Sequence, residues 1–350
     1  MGAKRIFTLT AMLSAIIGLA PAFAGTPRPG SLETYKDWTI GCDNRGRCEA
    51  VSLMPEGGSW PDDPVTVGIV REPGGSSEPE IWISRDGKGR EQLGLVIDDR
   101  KVATAISEEG EAKLDGAQAA TLAMAIARGN RMDVLVGAKL VGQPSLAGAA
   151  AALRYMDARQ GTAGTRAALV ARGPLARSVV RSAPLPIVIR RADIPPGPAP
   201  QPLWREERAA LGRLTGCADE MRDASPPELH RLSRTESLVL TPCGAGAYNF
   251  TSVPVIASGI AGRRTFRFAS FDHPPGWSEA ATHPMLVNAA WLADTATLES
   301  YAKGRGLGDC GGSESYVWDG TQFRLAQASA MGECRGARQW IKVFTADVVK

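Results

Sequence analysis

Histidine is scarce. The 350-residue chain has three, His230, His273 and His283, and nowhere the close C-x-x-C or H-x₃-H spacing that a zinc site needs. A C-x-x-C redox pair is missing too. Neither charge sign dominates: 40 Lys and Arg stand against 37 Asp and Glu, interleaved and without tails. That balance gives no case for a nucleic acid or another polyanion as partner. Beyond Ala20 no apolar run is long enough to span a membrane. The G-x-S-x-G nucleophile elbow is absent. Ser300-Tyr301-Ala302-Lys303 spells S-x-x-K, but the S-D-N and K-T-G elements that give it meaning are lacking, so it reads as chance on a turn. No metal and no cofactor is expected, and the balance leans away from an enzyme.

What the chain does contain begins with an address. Lys4 and Arg5 precede an apolar run from Ile6 to Ala20, and Ala22-Phe23-Ala24 is a small-residue cleavage site. This pattern is a secretory leader, expected to be cut after Ala24 and to deliver the chain to the periplasm. Six cysteines remain: Cys42, Cys48, Cys217, Cys243, Cys310 and Cys334. An even count in an exported chain reads as disulfides. Sequential pairing is expected, because each successive pair brackets a plausible turn or hairpin.

The organisation is α+β: two β-rich domains of mainly antiparallel strands with a few short helices. After the leader, 1–24, the first domain runs over 25–194, a proline-rich linker over 195–202, and the second domain over 203–350. Residues 35–53 read as a hairpin, with Trp38 and Ile40 alternating with polar residues and turn residues at 43–46. Strands follow at 65–70, 80–84 and 92–97. Then the period changes. Asp115 can cap a helix carrying Ala119, Leu122, Ala123 and Ile126 on one face, ended by Gly129. A strand is expected at 132–140. Ser145 can cap a second helix with Leu146, Ala149, Ala150 and Leu153 as its stripe, stopped by Gly161. A short strand at 185–190 is assigned to the first domain. In the second domain, helices are expected at 204–214 and from Pro226 through Leu232. Strands are expected at 237–240, 248–256, 265–271 and 285–292, before a terminal hairpin.

That hairpin turns at Asp319-Gly320. A two-residue type I′ turn would pair Trp318 with Thr321 and Tyr316 with Phe323, placing Tyr316, Trp318, Phe323 and Leu325 on one core-facing side. Cys310 and Cys334 flank it. Just upstream, Lys303, Gly304, Arg305, Gly306 and Gly308 form a dense basic and glycine-rich run. Such a run can fold its N–H groups into an anion nest or a partner site, although a phosphate loop would need a helix after it. His273 beside Asp272 can in principle form an acid/base dyad.

Three stretches resemble a known family: DWTIGCDNRGRCEAVSL at 37–53, SLAGAAAALRYMDARQGTAGT at 145–165, and KGRGLGDCGGSESYVWDGTQFRL with ECRG over 303–336. They are similar to the exported bacterial proteins of domain-of-unknown-function family 1176. The first domain is also similar to the invasion-associated locus B proteins, through the Trp-x-x-x-Cys hairpin and an Ala-rich helix. The resemblance implies export and this architecture and carries no established activity. The expected role is a noncatalytic binding module for a periplasmic protein or a cell-envelope component. The alternatives are an inhibitor of a cell-wall lytic enzyme, presenting one disulfide-stapled loop, and a hydrolase using the Asp272/His273 loop.

Overall fold

The computed structural model describes residues 26–57, 64–223, 226–276 and 282–350. The expected leader lies outside them. The first half is one antiparallel sheet of ten strands: β1 (Leu32–Tyr35), β2 (Trp38–Cys42), β3 (Cys48–Ser52), β4 (Thr66–Arg71), β5 (Pro79–Ser84), β6 (Arg90–Ile97), β7 (Arg100–Glu108), β8 (Glu111–Leu114), β9 (Met132–Val136) and β10 (Lys139–Gly142). Their order across the sheet is β1-β2-β3-β4-β5-β8-β7-β6-β9-β10. Two helices, α1 (Gly116–Arg128) and α2 (Ala149–Arg159), cover one face. α1 buries Ala119, Leu122, Ala123 and Ile126, the stripe its periodicity predicts. α2 starts later than expected, after Gly148: the Ser145 hydroxyl donates to Asp37 Oδ2 at 2.7 Å and accepts the Ala147 N–H at 3.2 Å, so it closes a turn ahead of the helix. The strand expected at 132–140 is a hairpin of β9 and β10, broken at Gly137.

The second half contributes β11 (Val188–Arg190), α3 (Arg205–Thr215), the single turn α4 (Glu220–Asp223), and strands β12 (Glu228–Arg231), β13 (Glu236–Ala245), β14 (Phe250–Ser258), β15 (Thr265–Phe268), β16 (Leu286–Val287), β17 (Ala290–Leu292), β18 (Thr297–Lys303), β19 (Gly311–Trp318), β20 (Phe323–Met331), β21 (Ile341–Thr345) and β22 (Asp347–Val349). β12 to β16 form one sheet, and β17 to β21 form another in sequence order. The helix expected from Pro226 to Leu232 is instead the edge strand β12. Proline suits an edge or the start of a strand as well as the first turn of a helix. The strand expected at 185–190 in the first domain is β11, and its partner is the C-terminal β22, to which it pairs in parallel.

Alternation along β13 and β14 separates two cores. Val239, Val253 and Val255 face α3, while Leu238, Leu240 and Ile256 face the sheet of β17 to β21. That second cluster also takes in Val51, Leu53, Val70 and Trp82, from the face of the first sheet that the helices leave open. Residues from both sides of 195–202 therefore share one core. The proline-rich stretch has no regular structure; Arg231 bonds to the Pro198 carbonyl and Arg264 to those of Gln201 and Pro202.

The terminal hairpin keeps its expected face but not its expected turn. Trp318 pairs with Phe323 and Tyr316 with Leu325, so the loop is the four residues 319–322. Asp319 closes it from its side chain: Oδ1 accepts the N–H groups of Thr321 and Gln322 at 2.8 and 2.9 Å. The register moves by two residues, which preserves the face, and Tyr316, Trp318, Phe323 and Leu325 are all buried together. The three disulfides are Cys42–Cys48, Cys217–Cys243 and Cys310–Cys334, the sequential pairs.

The three family-like stretches meet where the halves join. Trp38 Nε1 donates to the Ser145 carbonyl at 2.8 Å, and Ser145 holds Asp37. Asp37 in turn pairs with Arg335, which also donates to the carbonyls of Met54 and Lys36, each at 2.8 Å.

Candidate functional site

The glycine-rich run leaves β18 and returns as β19. It is a closed loop. Gly304 N donates to the Cys310 carbonyl at 2.8 Å and Gly308 N to the Arg305 carbonyl at 2.9 Å. Arg305 lays its guanidinium across Asp309, at 2.7 and 2.6 Å, and Asp309 also accepts the Gly336 N–H at 2.7 Å. Burial would raise the Asp309 carboxyl, but the hydrogen bond from Arg305, the Gly336 N–H and the guanidinium charge outweigh it and hold the group below the ordinary carboxylate range. A Cβ on Gly304 would lie 2.7 Å from Cys310 Sγ, so the disulfide itself requires a glycine there. Two of the amides proposed for an anion nest, and Arg305, are thus spent inside the loop. Outward it shows Leu307, 70% exposed.

A second loop, between β13 and β14, packs against it. The Tyr248 ring sits over Gly306, and its hydroxyl reaches the Gly304 carbonyl at 3.4 Å. Asn249 mimics a strand: Nδ2 donates to the Lys303 carbonyl at 2.8 Å and Oδ1 accepts the Lys303 N–H at 3.1 Å. Asn288, at φ 45°, links both loops by donating to the Tyr301 carbonyl at 2.8 Å and accepting from Phe250 N at 3.0 Å. The result is a firm surface carrying Tyr248, Phe250 and Leu307, with Lys303 at its base. Beside it lies an open groove of about 1020 Å³ that includes Phe250, Asn288, Glu220 and Glu228. The sequence reading found the glycine loop but missed Tyr248, Phe250 and Asn288. The signal available was the pair of aromatics in AGAYNF, a stretch otherwise fit for a turn.

The structure does not assemble the Asp272/His273 pair. Asp272 Oδ2 takes the Arg324 Nε–H at 2.7 Å and Oδ1 takes the Leu325 N–H at 2.8 Å, and no hydrogen bond joins it to His273. Asp272 fixes β20 and does not orient an imidazole. Ser300 of the S-x-x-K lies on β18 rather than on a turn, and its hydroxyl accepts Val287 N–H at 3.1 Å. Among the described residues, no helix is long and apolar enough to cross a membrane.

Fold and site together define a disulfide-stapled, mainly antiparallel β protein with a built loop surface. The chain belongs to the family described as "Protein of unknown function (DUF1176)", which matches residues 32–347. Among curated proteins it is similar to an Escherichia coli (strain K12) protein described as uncharacterized protein YpfG. The two are 26% identical over 323 residues, which cover 86% of this chain and 88% of that one. No solved structure matches the chain.

Proposed function

We propose that the protein is a noncatalytic binding module of the bacterial periplasm that engages another envelope protein through Tyr248, Phe250 and Leu307. The observation that carries this reading is the exposure of these side chains, 37%, 58% and 70%, on loops tied down by a disulfide, an ion pair and two asparagines. Large apolar side chains held rigidly in water cost little ordering entropy on binding and supply the anchors of protein interfaces. The carboxylates of Glu220 and Glu228 along the adjoining groove favour a partner whose contact segment is apolar with basic neighbours.

The test is to cross-link the protein to its partner in periplasm, purify that partner, and measure the affinity directly. Leu307→Asp with Phe250→Asp is expected to weaken binding by about a hundredfold, roughly 2.7 kcal/mol, with the melting temperature unchanged. Equal affinity in the double variant would refute the surface. Leu307, projecting from a stapled loop, also suits insertion into the cleft of a cell-wall lytic enzyme. Stoichiometric inhibition of a lysozyme, lost in Leu307→Asp, would identify that partner.

Export is part of the proposal. Three disulfides suit an oxidising compartment. Intact-mass measurement of protein recovered from periplasm is expected to show Gly25 as the first residue. A chain retaining Met1 would count against cleavage.

A further inference from the structure

The sheet of β17 to β21 turns one side to the shared core, through Leu298, Tyr316 and Leu325. Its other side is a floor of small polar residues. The register lines up Tyr301, Ser313, Ser329 and Lys342 in one row across four strands, and Glu299, Ser315, Gln327 and Thr345 in the next. Every one of these is at least partly exposed. The side chains of the three serines and Gln327 enter no hydrogen bond within the described protein, so their donors and acceptors are open to a ligand.

Both ends of this floor are closed. At one end Trp340 stacks on Tyr301, with ring centroids 4.7 Å apart and planes 7° from parallel. The indole reaches the sheet at Gly311, where a Cβ would lie 2.9 Å from its Cη2 atom, so the stacked pair bounds that end of the floor. At the other end Ile189 of the β11–β22 ribbon covers Val317 and Ala326. Strands about 4.8 Å apart make the floor about 14 Å wide across four strands, enough for a short oligosaccharide.

We infer that this trough binds a neutral glycan chain. The inference rests on the envelope-binding role proposed above and adds a second ligand class at an adjoining surface. Hydroxyl and amide side chains in ordered rows can exchange water for sugar hydroxyls at little cost, because each can donate and accept. The aromatic wall offers an apolar face for the C–H side of a pyranose ring. Glu299 and Lys342 stand at opposite corners, so the trough has no charge surplus to hold a polyanion. Apart from that aromatic pair the two rows carry no apolar anchor of the kind a protein partner would use.

The test is titration calorimetry of the full mature chain with two probes, a tetramer of N-acetylglucosamine and a tetramer of glucose. Saturable binding of at least one is expected. Trp340→Ala and Ser329→Leu, the latter filling the floor from a half-buried strand position, are each expected to weaken it by about tenfold. Leu307→Asp should leave it unchanged. Absence of saturable heat with both probes overturns the inference, and so does wild-type affinity in Ser329→Leu. If sugar binding is absent while protein capture through Leu307 persists, the trough fails and the partner surface stands. If Trp340→Ala and Ser329→Leu lose sugar while the Leu307 and Phe250 variants keep every protein contact, the partner surface fails and the trough stands.

Discussion

Asp157→Asn is expected to lower the stability of the protein by about 3–5 kcal/mol, read as a lower urea midpoint with an unchanged slope. Asp157 and Arg71 form an ion pair at 2.9 Å with side-chain exposures of 0% and 1%. The carboxylate is served from five sides. Oδ1 accepts from Arg71, Thr162 and Leu169 N, and Oδ2 from Val170 N and Ala171 N, all at 2.9–3.0 Å. Asparagine keeps the shape but removes the charge and turns an amide N–H toward those donors, leaving a buried guanidinium without its counter-charge. Burial alone would raise the Asp157 carboxyl, yet the N–H groups of Val170, Leu169 and Ala171, with Arg71, hold it below its ordinary range. Burial also lowers Arg71, so that group does not show the upward shift an ion pair usually gives. The hydrogen-bond geometry marks Asp157 as the better-served partner, and Arg71→Met should therefore cost less than Asp157→Asn. The sign with pH follows. A folded-state value below the unfolded one adds stability above the ordinary carboxylate range, and that stability is lost as pH falls through the folded value. The gap between wild type and Asp157→Asn should be full at neutral pH and narrow in acid below about pH 4. A gap that stays constant from neutral pH into that acid range would show that charge plays no part.

Asp157 sits inside a stretch that the sequence marks by its family likeness, but its partner Arg71 lies 86 residues away and no local pattern joins them. The same distinction runs through the whole fold. The 35–53 hairpin and the α1 stripe were legible because large apolar residues repeat at a clear period, and the cysteines bracket turn residues. β7 was not, because its buried positions are Ala103, Ala105 and Ser107, while Val102 and Ile106 on its outward side are more apolar, which reverses the expected alternation. β18 hides similarly: Leu298, Ser300 and Ala302 point inward, and the serine is there to hold Val287. The placement of β11 depended on a parallel partner at the far end of the chain. At the candidate site, glycine density showed the loop, but only the fold shows that Arg305 turns inward and Leu307 outward. The polar trough was invisible in sequence, since serines spaced by two read as any solvated strand.

Cut at the proposed boundary, the two halves are expected to behave unequally. A fragment of residues 25–194 keeps the entire cluster beneath α1 and α2, drawn from Trp38 to Leu169, and the buried Arg71–Asp157 pair, so it should stay folded. A fragment of 203–350 loses Val51, Leu53, Val70 and Trp82 from the middle of its main cluster. Each such side chain contributes about 1.5–3 kcal/mol when buried, against a total stability on the order of 5–15 kcal/mol for a domain. It also loses Lys36, Asp37 and Met54 as partners of Arg335, and β11 as the partner of β22. That fragment should aggregate or unfold near room temperature. Extending it back to 187–350 restores β11, Ile189 over Val317, and the Ala192 N–H on the Trp318 carbonyl, and should raise its melting temperature measurably without reaching that of the whole chain. Circular dichroism melts of the three fragments check this ordering. If 203–350 melts as high as the intact protein, the shared cluster contributes little and the proline-rich stretch separates two self-sufficient domains. If 25–194 is the fragment that fails, the support between the halves runs the other way: the open face of the first sheet cannot be left in water, and the C-terminal sheet serves as its cover.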